Sequence, residues 1–296
     1  MAVFGTVVAA GCGTHSPRRS ATAAPGSLQS VLKRPGEDVS VVAGDSDFAP
    51  GVVRFSFLVI RRNARPVERQ RARVWLARSQ LGQPFERATA RLETVGPPGG
   101  GEAAFGGIGR IYVVELRITR PGRYWLVAEP LGARIQALGT LDVKRRSDSR
   151  AVGARAPASA TPTLASVHGA VSKLTTRVPP DRSLLRYSIA GSLAAHRPFV
   201  VTFATPRYCT SRTCGPVVDV VEYVRRRLAA RGVRFIHVEV YKRNRPALGY
   251  NRWMRQWGLH SEPWTFLVGR DGRIKAKFEG SVSARELEAA VRRLLL

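Results

Sequence analysis

The sequence predicts two units of different fold class, an all-β sandwich over residues 39–146 and an α/β unit over residues 152–296. Three observations carry this. Residues 39–143 hold short runs of apolar β-formers separated by turn chemistry, without a sustained helical period. Beyond residue 188, strand-like runs alternate with helical ones. Between the two, Lys144–Arg150 is charged and polar and reads as a linker. At 296 residues and 44% hydrophobic content the chain can build two cores and is not a disordered one.

The first unit is expected to contain strands at Val39–Val42, Val52–Ile60, Arg73–Leu76, Ala88–Val95, Ile111–Ile118, Tyr124–Ala128 and Gln136–Val143. Ala49-Pro50-Gly51, Arg61-Arg62-Asn63 and Pro121-Gly122 are turn sequences between them. Seven short strands with a turn every dozen residues or so suggest an immunoglobulin-like sandwich. The unit has no cysteine, so its core alone must hold it, with Trp75 and Trp125 expected inside.

In the second unit, Ser188–His196 reads as a short helix and Phe199–Phe203 as a buried strand. Pro216–Arg231 is helical, with Val217, Val220, Val221, Val224 and Leu228 on one face and Gly232 as its stop. Val233–Tyr241 is a strand and Asn251–Trp257 a short helix. Trp264–Val268 and Ile274–Phe278 form a hairpin around Arg270-Asp271-Gly272. Ser283, with Glu286 three residues on, makes a capping box for a last helix. The order is β-α-β-α-β-β-α.

Basic residues number 48 and acidic residues 21, a net charge of +27 that points to an anionic partner. Arg accounts for 42 of the 48, as GC-rich codon usage produces, and the excess is spread along both halves. No arm concentrates it among aromatics, so nucleic acid is not the expected partner.

The three cysteines are more informative. Val7-Val8-Ala9-Ala10-Gly11-Cys12 resembles a bacterial lipobox, in which a short apolar stretch and small residues end an export signal and the Cys is lipidated. Residues 13–27 suit a polar tether, so residues 1–38 are expected to be signal and tether, and the protein to sit on the exported face of a membrane or to be secreted. No Lys or Arg precedes the apolar stretch, so the basic segment of such signals is expected upstream in the reading frame.

Cys209 and Cys214 lie between a strand and a helix whose first turn holds Pro216. Cys214 therefore meets the helix N-terminus, where the dipole favours a thiolate, and is expected to be the more acidic thiol, with Arg207 and Arg212 helping. Which thiol attacks substrate stays open. Five helical residues rise about 7.5 Å, whereas a disulfide needs Cα atoms within about 4.4–6.8 Å. Residues 210–213 must then fold into a loop if the pair is to bond.

The run Phe203-Ala204-Thr205-Pro206 before Cys209, then Cys214-Gly215-Pro216, resembles the strand–Cys–helix site of thioredoxin-like proteins. Trp257-Gly258-Leu259, Glu262-Pro263-Trp264-Thr265-Phe266-Leu267-Val268 and Asp271-Gly272-Arg273-Ile274 are similar to the cis-proline loop and hairpin of thioredoxin-like envelope oxidoreductases, and Val152-Gly153 with Ala156-Pro157 to their N-terminal segment. The resemblance implies a thioredoxin-like second domain. It implies that Cys209 and Cys214 exchange thiols and disulfides with envelope proteins without cofactor or metal. It implies a cis Pro263 facing them, with backbone beside it pairing to an extended substrate. The chain departs from the pattern in having C-x4-C, with Val217 where the second Cys would stand, and no carboxylate on the Phe199–Phe203 strand; Asp219 is the nearest substitute. Other readings stay open. Cys209–Cys214 could be a structural disulfide in a non-catalytic binding module. The pair could serve copper handling as in Sco-type chaperones, with His260 as nearest candidate ligand. Ser211 and Pro206 partly match a peroxiredoxin spacing.

Overall fold

A computed structural model describes residues 24–34, 36–99, 109–132 and 136–296. Cys12 and the expected export signal lie outside these residues. Helix α1 (Leu28–Leu32) is followed by strands β1 (Val39–Ala43), β2 (Gly51–Arg61), β3 (Arg71–Ala77), β4 (Glu86–Thr94), β5 (Arg110–Ile118), β6 (Gly122–Pro130) and β7 (Ala137–Val143). Then come α2 (Ile189–Ala194), β8 (Phe199–Phe203), α3 (Cys214–Leu228), β9 (Arg234–Val238), α4 (Arg252–Trp257), β10 (Trp264–Val268), β11 (Ile274–Glu279) and α5 (Ala284–Leu295). Among the described residues no helix is long and apolar enough to cross a membrane.

The expected fold class is corrected in both halves. The seven N-terminal strands do not split into two sheets. They close into a barrel in the order β1-β2-β5-β4-β3-β6-β7. Closure comes from β1, antiparallel to β2 and parallel to β7 at Ser40 and Leu138. Gly139 permits it: a Cβ there would fall 2.8 Å from Val41 Cβ. Alternating apolar residues reach the interior of a barrel or a sandwich alike, so periodicity could not separate the two. Phe55, Phe57 and Tyr112 stack along this interior, with ring centroids 5.2 and 5.3 Å apart. Trp75 and Trp125 are not in that core. Trp75 packs outside it with Leu28 and Val31 of α1, and Trp125 lies against the same cluster. Leu28–Leu32, within the segment expected to be tether, is thus a helix docked on the barrel.

Nor is the second unit the alternating α/β thioredoxin-like domain that was expected. The chain as a whole is mostly β, and the second sheet has four strands in the order β11-β10-β8-β9, of which only β8 and β9 run parallel. β10 is antiparallel to both β8 and β11; for β10 and β11 this follows from the Asp271-Gly272 turn, which folds the chain straight back, since a tight hairpin cannot make a parallel pair. Two of the helices, α2 and α4, have only six residues each. α3 and α5 cover one face of the sheet; α2 and α4 cover the other through Ile189, Met254 and Trp257. β8 and β10 are buried along their whole length. The Ser283 capping box forms as its sequence implies.

Polar groups join the two halves. Glu279 of β11 accepts from the backbone N–H groups of Ser46 and Asp47, each at 2.8 Å. Arg54 of β2 reaches Glu286 at 3.0 Å and the Ser281 carbonyl at 2.8 Å. The segment after β7 is pinned by Asp47, which accepts from the hydroxyls of Ser147 and Ser149 and the backbone N–H groups of Asp148 and Ser149. Burial alone would raise its carboxyl, but these hydrogen bonds hold it at about 2. Gly258, left-handed at the end of α4, faces the same segment; a Cβ there would fall 2.0 Å from the Asp148 carbonyl oxygen.

Candidate functional site

β8 ends at Phe203, and the chain runs through Ala204 and Thr205 into a short loop that returns at Cys214, the first residue of α3. The loop is folded, as a paired site requires. Arg212 takes a left-handed conformation, φ 58°, and its N–H donates to the Cys209 carbonyl. Cys209 is half-buried, Cys214 buried, and both are free thiols. The Cys214 backbone N–H donates to Cys209 Sγ at 3.3 Å, and Ser211 Oγ lies 3.2 Å from the same sulfur. Ser211 Oγ is itself 2.8 Å from Thr213 Oγ1.

The helix terminus thus serves the other thiol from the one expected. The Cys214 thiol donates to Cys209, aided by Ser211 and by the N–H groups of Cys214 and Thr213, and these bonds hold Cys209 at about 6 against the opposing cost of burial. The main groups lowering it are hydrogen-bond donors, not Arg207 and Arg212; Arg207 lies over the Tyr208 ring. Cys214 goes the other way. Its side chain turns in among Val217, Val218 and Val221, and burial pushes it far above the usual thiol range. Its bond to Cys209 and the charge of Glu262 add to the rise, while the Thr205 backbone opposes it. A thiol at the first residue of a helix gains from the helix N–H groups only if it faces them.

The Glu262–Pro263 peptide is cis. β10 pairs with β8 so that Trp264 faces Phe203, which sets Pro263 level with Ala204 at the sheet edge where the thiol loop leaves. The Pro263 carbonyl accepts from Gly280 N–H at 2.9 Å. Glu262 accepts from Tyr250 Oη at 2.5 Å and from Tyr241 Oη at 3.4 Å, and the two tyrosine rings stack at 5.4 Å. Burial, and next the carboxylate they bond, push both phenols up. Glu262, Tyr241 and Tyr250 were not singled out from the sequence. The two tyrosines lie 21 and 12 positions before Glu262, and no short spacing signals their meeting.

The other candidates are placed elsewhere. Asp219 is bound to Arg177 at 2.8 Å and not poised on a thiol. His237 stands between Thr175 Oγ1 and the Ala204 carbonyl, at 3.3 and 3.1 Å, and burial lowers its pKa. His260 is exposed. Among the described residues, no group of three or more His, Cys, Asp or Glu side chains is arranged to hold a metal ion.

No protein-family model matches the chain, and no curated protein matches it. Among solved structures, it is similar to a thiol:disulfide interchange protein of the thioredoxin family from Chlorobium tepidum TLS, at 18% identity and a TM-score of 0.28, over 34% of this chain and 81% of that one. It is also similar to the Lin-41 filamin domain, at 14% identity and a TM-score of 0.21, over 38% of this chain and 97% of that one. At these values neither likeness assigns this chain a function.

Proposed function

We propose that the protein is an exported thiol–disulfide oxidoreductase, anchored to a membrane through lipidated Cys12 and acting on envelope proteins. The observation that carries the reaction is the asymmetry of the pair: a half-exposed Cys209 held at about 6 beside a buried Cys214 whose N–H donates to it at 3.3 Å. Thiolate character with partial exposure makes a nucleophile, and a protonated neighbour within reach makes a resolving group. The Cys209 thiolate attacks one sulfur of a substrate disulfide. That S–S bond breaks, and its other sulfur leaves as a thiolate. Cys214 then gives up its proton to the departing thiolate and attacks Cys209 Sγ, releasing the second substrate sulfur. The substrate gains two electrons and the protein pair becomes a disulfide; the reverse sequence oxidises a dithiol. Backbone beside Pro263 is the expected place for an extended substrate strand. The anchor rests on the small-residue run before Cys12.

The reduction potential of the pair is the test. A catalytic pair is expected above about −300 mV, with reduction of a protein disulfide lost in both Cys209→Ser and Cys214→Ser. A lower potential with no exchange would instead make the pair a structural disulfide. Mass spectrometry of the native protein is expected to find diacylglycerol on Cys12, and an unmodified Cys12 would remove the anchor from the reading.

A further inference from the structure

The barrel grips the second unit at the end of β11. Four donors meet the carboxylate of Glu279, the last residue of that strand. Its Oε2 accepts from the backbone N–H groups of Ser46 and Asp47, both at 2.8 Å, and its Oε1 from the hydroxyls of Ser46 and Ser261, both at 2.9 Å. A carboxylate offers about four acceptor positions, so this one is fully used. Three of the donors come from the barrel turn between β1 and β2. The fourth, Ser261, stands two residues before Pro263 and accepts in turn from Trp264 Nε1 at 3.0 Å. The Ser261 hydroxyl therefore spans the Glu262–Pro263 step, and Glu279 fixes it in place.

Gly280 comes next, and its N–H donates to the Pro263 carbonyl at 2.9 Å. A Cβ on Gly280 would fall 2.7 Å from the Gly44 carbonyl oxygen, so the barrel turn lies directly against it. The carbonyl of Ser281 then accepts from Arg54 of β2 at 2.8 Å. The barrel touches three consecutive residues, and two of them hold the Pro263 loop. A second path runs beside the first. Asp47 accepts from the Ser149 hydroxyl at 2.6 Å, and Lys277 Nζ donates to the same hydroxyl oxygen at 2.7 Å. Lys277 Nζ in turn lies 5.7 Å from the centre of the Trp264 ring, directly after Pro263. Polar bonds anywhere on the second unit would serve to join two folded halves; these converge on the supports of one loop.

We propose that the barrel is a positioning element for the thiol site, its turn at residues 44–47 holding the Glu262–Pro263 loop through Glu279 and Gly280 so that the backbone there can pair with an extended substrate. This rests on the reading of Cys209 and Cys214 as an exchange pair. Main-chain pairing needs donors and acceptors held in register, and a loop that shifts loses the substrate strand before it alters the sulfur chemistry. The barrel therefore acts on how a protein disulfide is bound more than on the thiols themselves.

The test compares the full chain with Glu279→Ala, Ser261→Ala, their double variant and Asp47→Ala, whose carboxylate bonds no residue of the loop. Two disulfides serve as probes: insulin, which has backbone to pair, and cystamine, which has none. With insulin, each variant is expected to raise KM by about threefold to tenfold and to lower kcat less. Cystamine reduction is expected to change by less than about twofold. The double variant is expected to be no worse than Glu279→Ala alone, since both changes cut the same path. Hydrogen exchange at the Gly280 N–H needs no activity. It is expected to quicken by about tenfold or more in Glu279→Ala and Asp47→Ala, while the Phe266 N–H in β10 keeps its native rate and shows that the sheet stays folded. Unchanged Gly280 exchange in both variants, equal losses with insulin and cystamine, or additive losses in the double variant would each overturn the proposal. A native chain that reduces neither disulfide would overturn the exchange reading and the effect on KM with it, and Gly280 exchange would still decide whether the barrel holds the loop.

Discussion

Cys209 gains its acidity from a neighbour five residues on. The groups that act on its sulfur come from Ser211, Thr213 and Cys214, all brought round by the left-handed Arg212. Alkylation against pH separates the two thiols. In Cys214→Ser, where the serine hydroxyl can still donate, Cys209 is expected to react with a midpoint below about 8.5, the value of an unperturbed thiol. In the native pair the midpoint is expected near 6. Because the thiolate is the reactive form, the rate rises from pH 5 through about 7 and then levels off. In Cys209→Ser, buried Cys214 is expected to stay unreactive past about 8.5. The opposite order, with Cys214 the faster thiol at neutral pH, would restore the simple helix-dipole expectation and remove the mechanism above. The sequence showed that two thiols meet a helix start; it could not show which sulfur the N–H groups face, because that depends on the χ angles and the loop return.

At the scale of elements, closure of the barrel turns on one missing side chain. Gly139 of β7 lies where any Cβ would press on Val41 of β1. Gly139→Val is expected to cost about 1–3 kcal/mol, as overpacking does, and Val41→Ala in the same chain to recover part of it. Urea unfolding of the single and double variants measures both. An unchanged midpoint in Gly139→Val would mean that the β1–β7 contact does not hold the barrel closed. Strand and helix positions themselves were largely legible. β10 spans Trp264–Val268 as its buried apolar run implies, and Ser283 caps α5 through Glu286. The pairing of β1 with β7 was not, since nearly 100 residues separate Ser40 from Leu138 and nothing local marks them as partners.

For the whole molecule, each hydrophobic core is built from one side of residues 144–150, and what crosses between the halves is polar. Calorimetry is expected to resolve two unfolding transitions. A single one would mean that the polar contacts around Asp47, Arg54 and Glu279 couple the halves fully. Asp45 gives this junction a pH dependence. It is buried, and burial raises its carboxyl to about 7 despite Arg54 and the bonds from Ser56. An acid whose folded pKa exceeds its unfolded one binds its proton more tightly when folded, so it lowers stability progressively between the two values, from about pH 4 to about pH 7, and no further above. Asp45→Asn is expected to remove that decline, its gain over the native chain growing across this window. A gain that is flat with pH would place the Asp45 carboxyl in the ordinary carboxylate range.

The sequence by itself determined where most of the strands and helices beyond residue 38 lie, though not α1, and it also determined that two thiols stand at a strand–helix junction and that Glu262-Pro263 precedes a buried strand. These follow from local periodicity, capping and turn chemistry, which act within a few residues. Only the tertiary structure decided that seven strands close on themselves, that Trp75 packs on the outside against α1, that Cys209 and not Cys214 is the acidic thiol, and that Tyr241 and Tyr250 converge on Glu262. Each of these depends on which distant groups come into contact and on how much water they lose. Strand pairing and burial act between residues far apart in the chain, and a local pattern is compatible with several such arrangements.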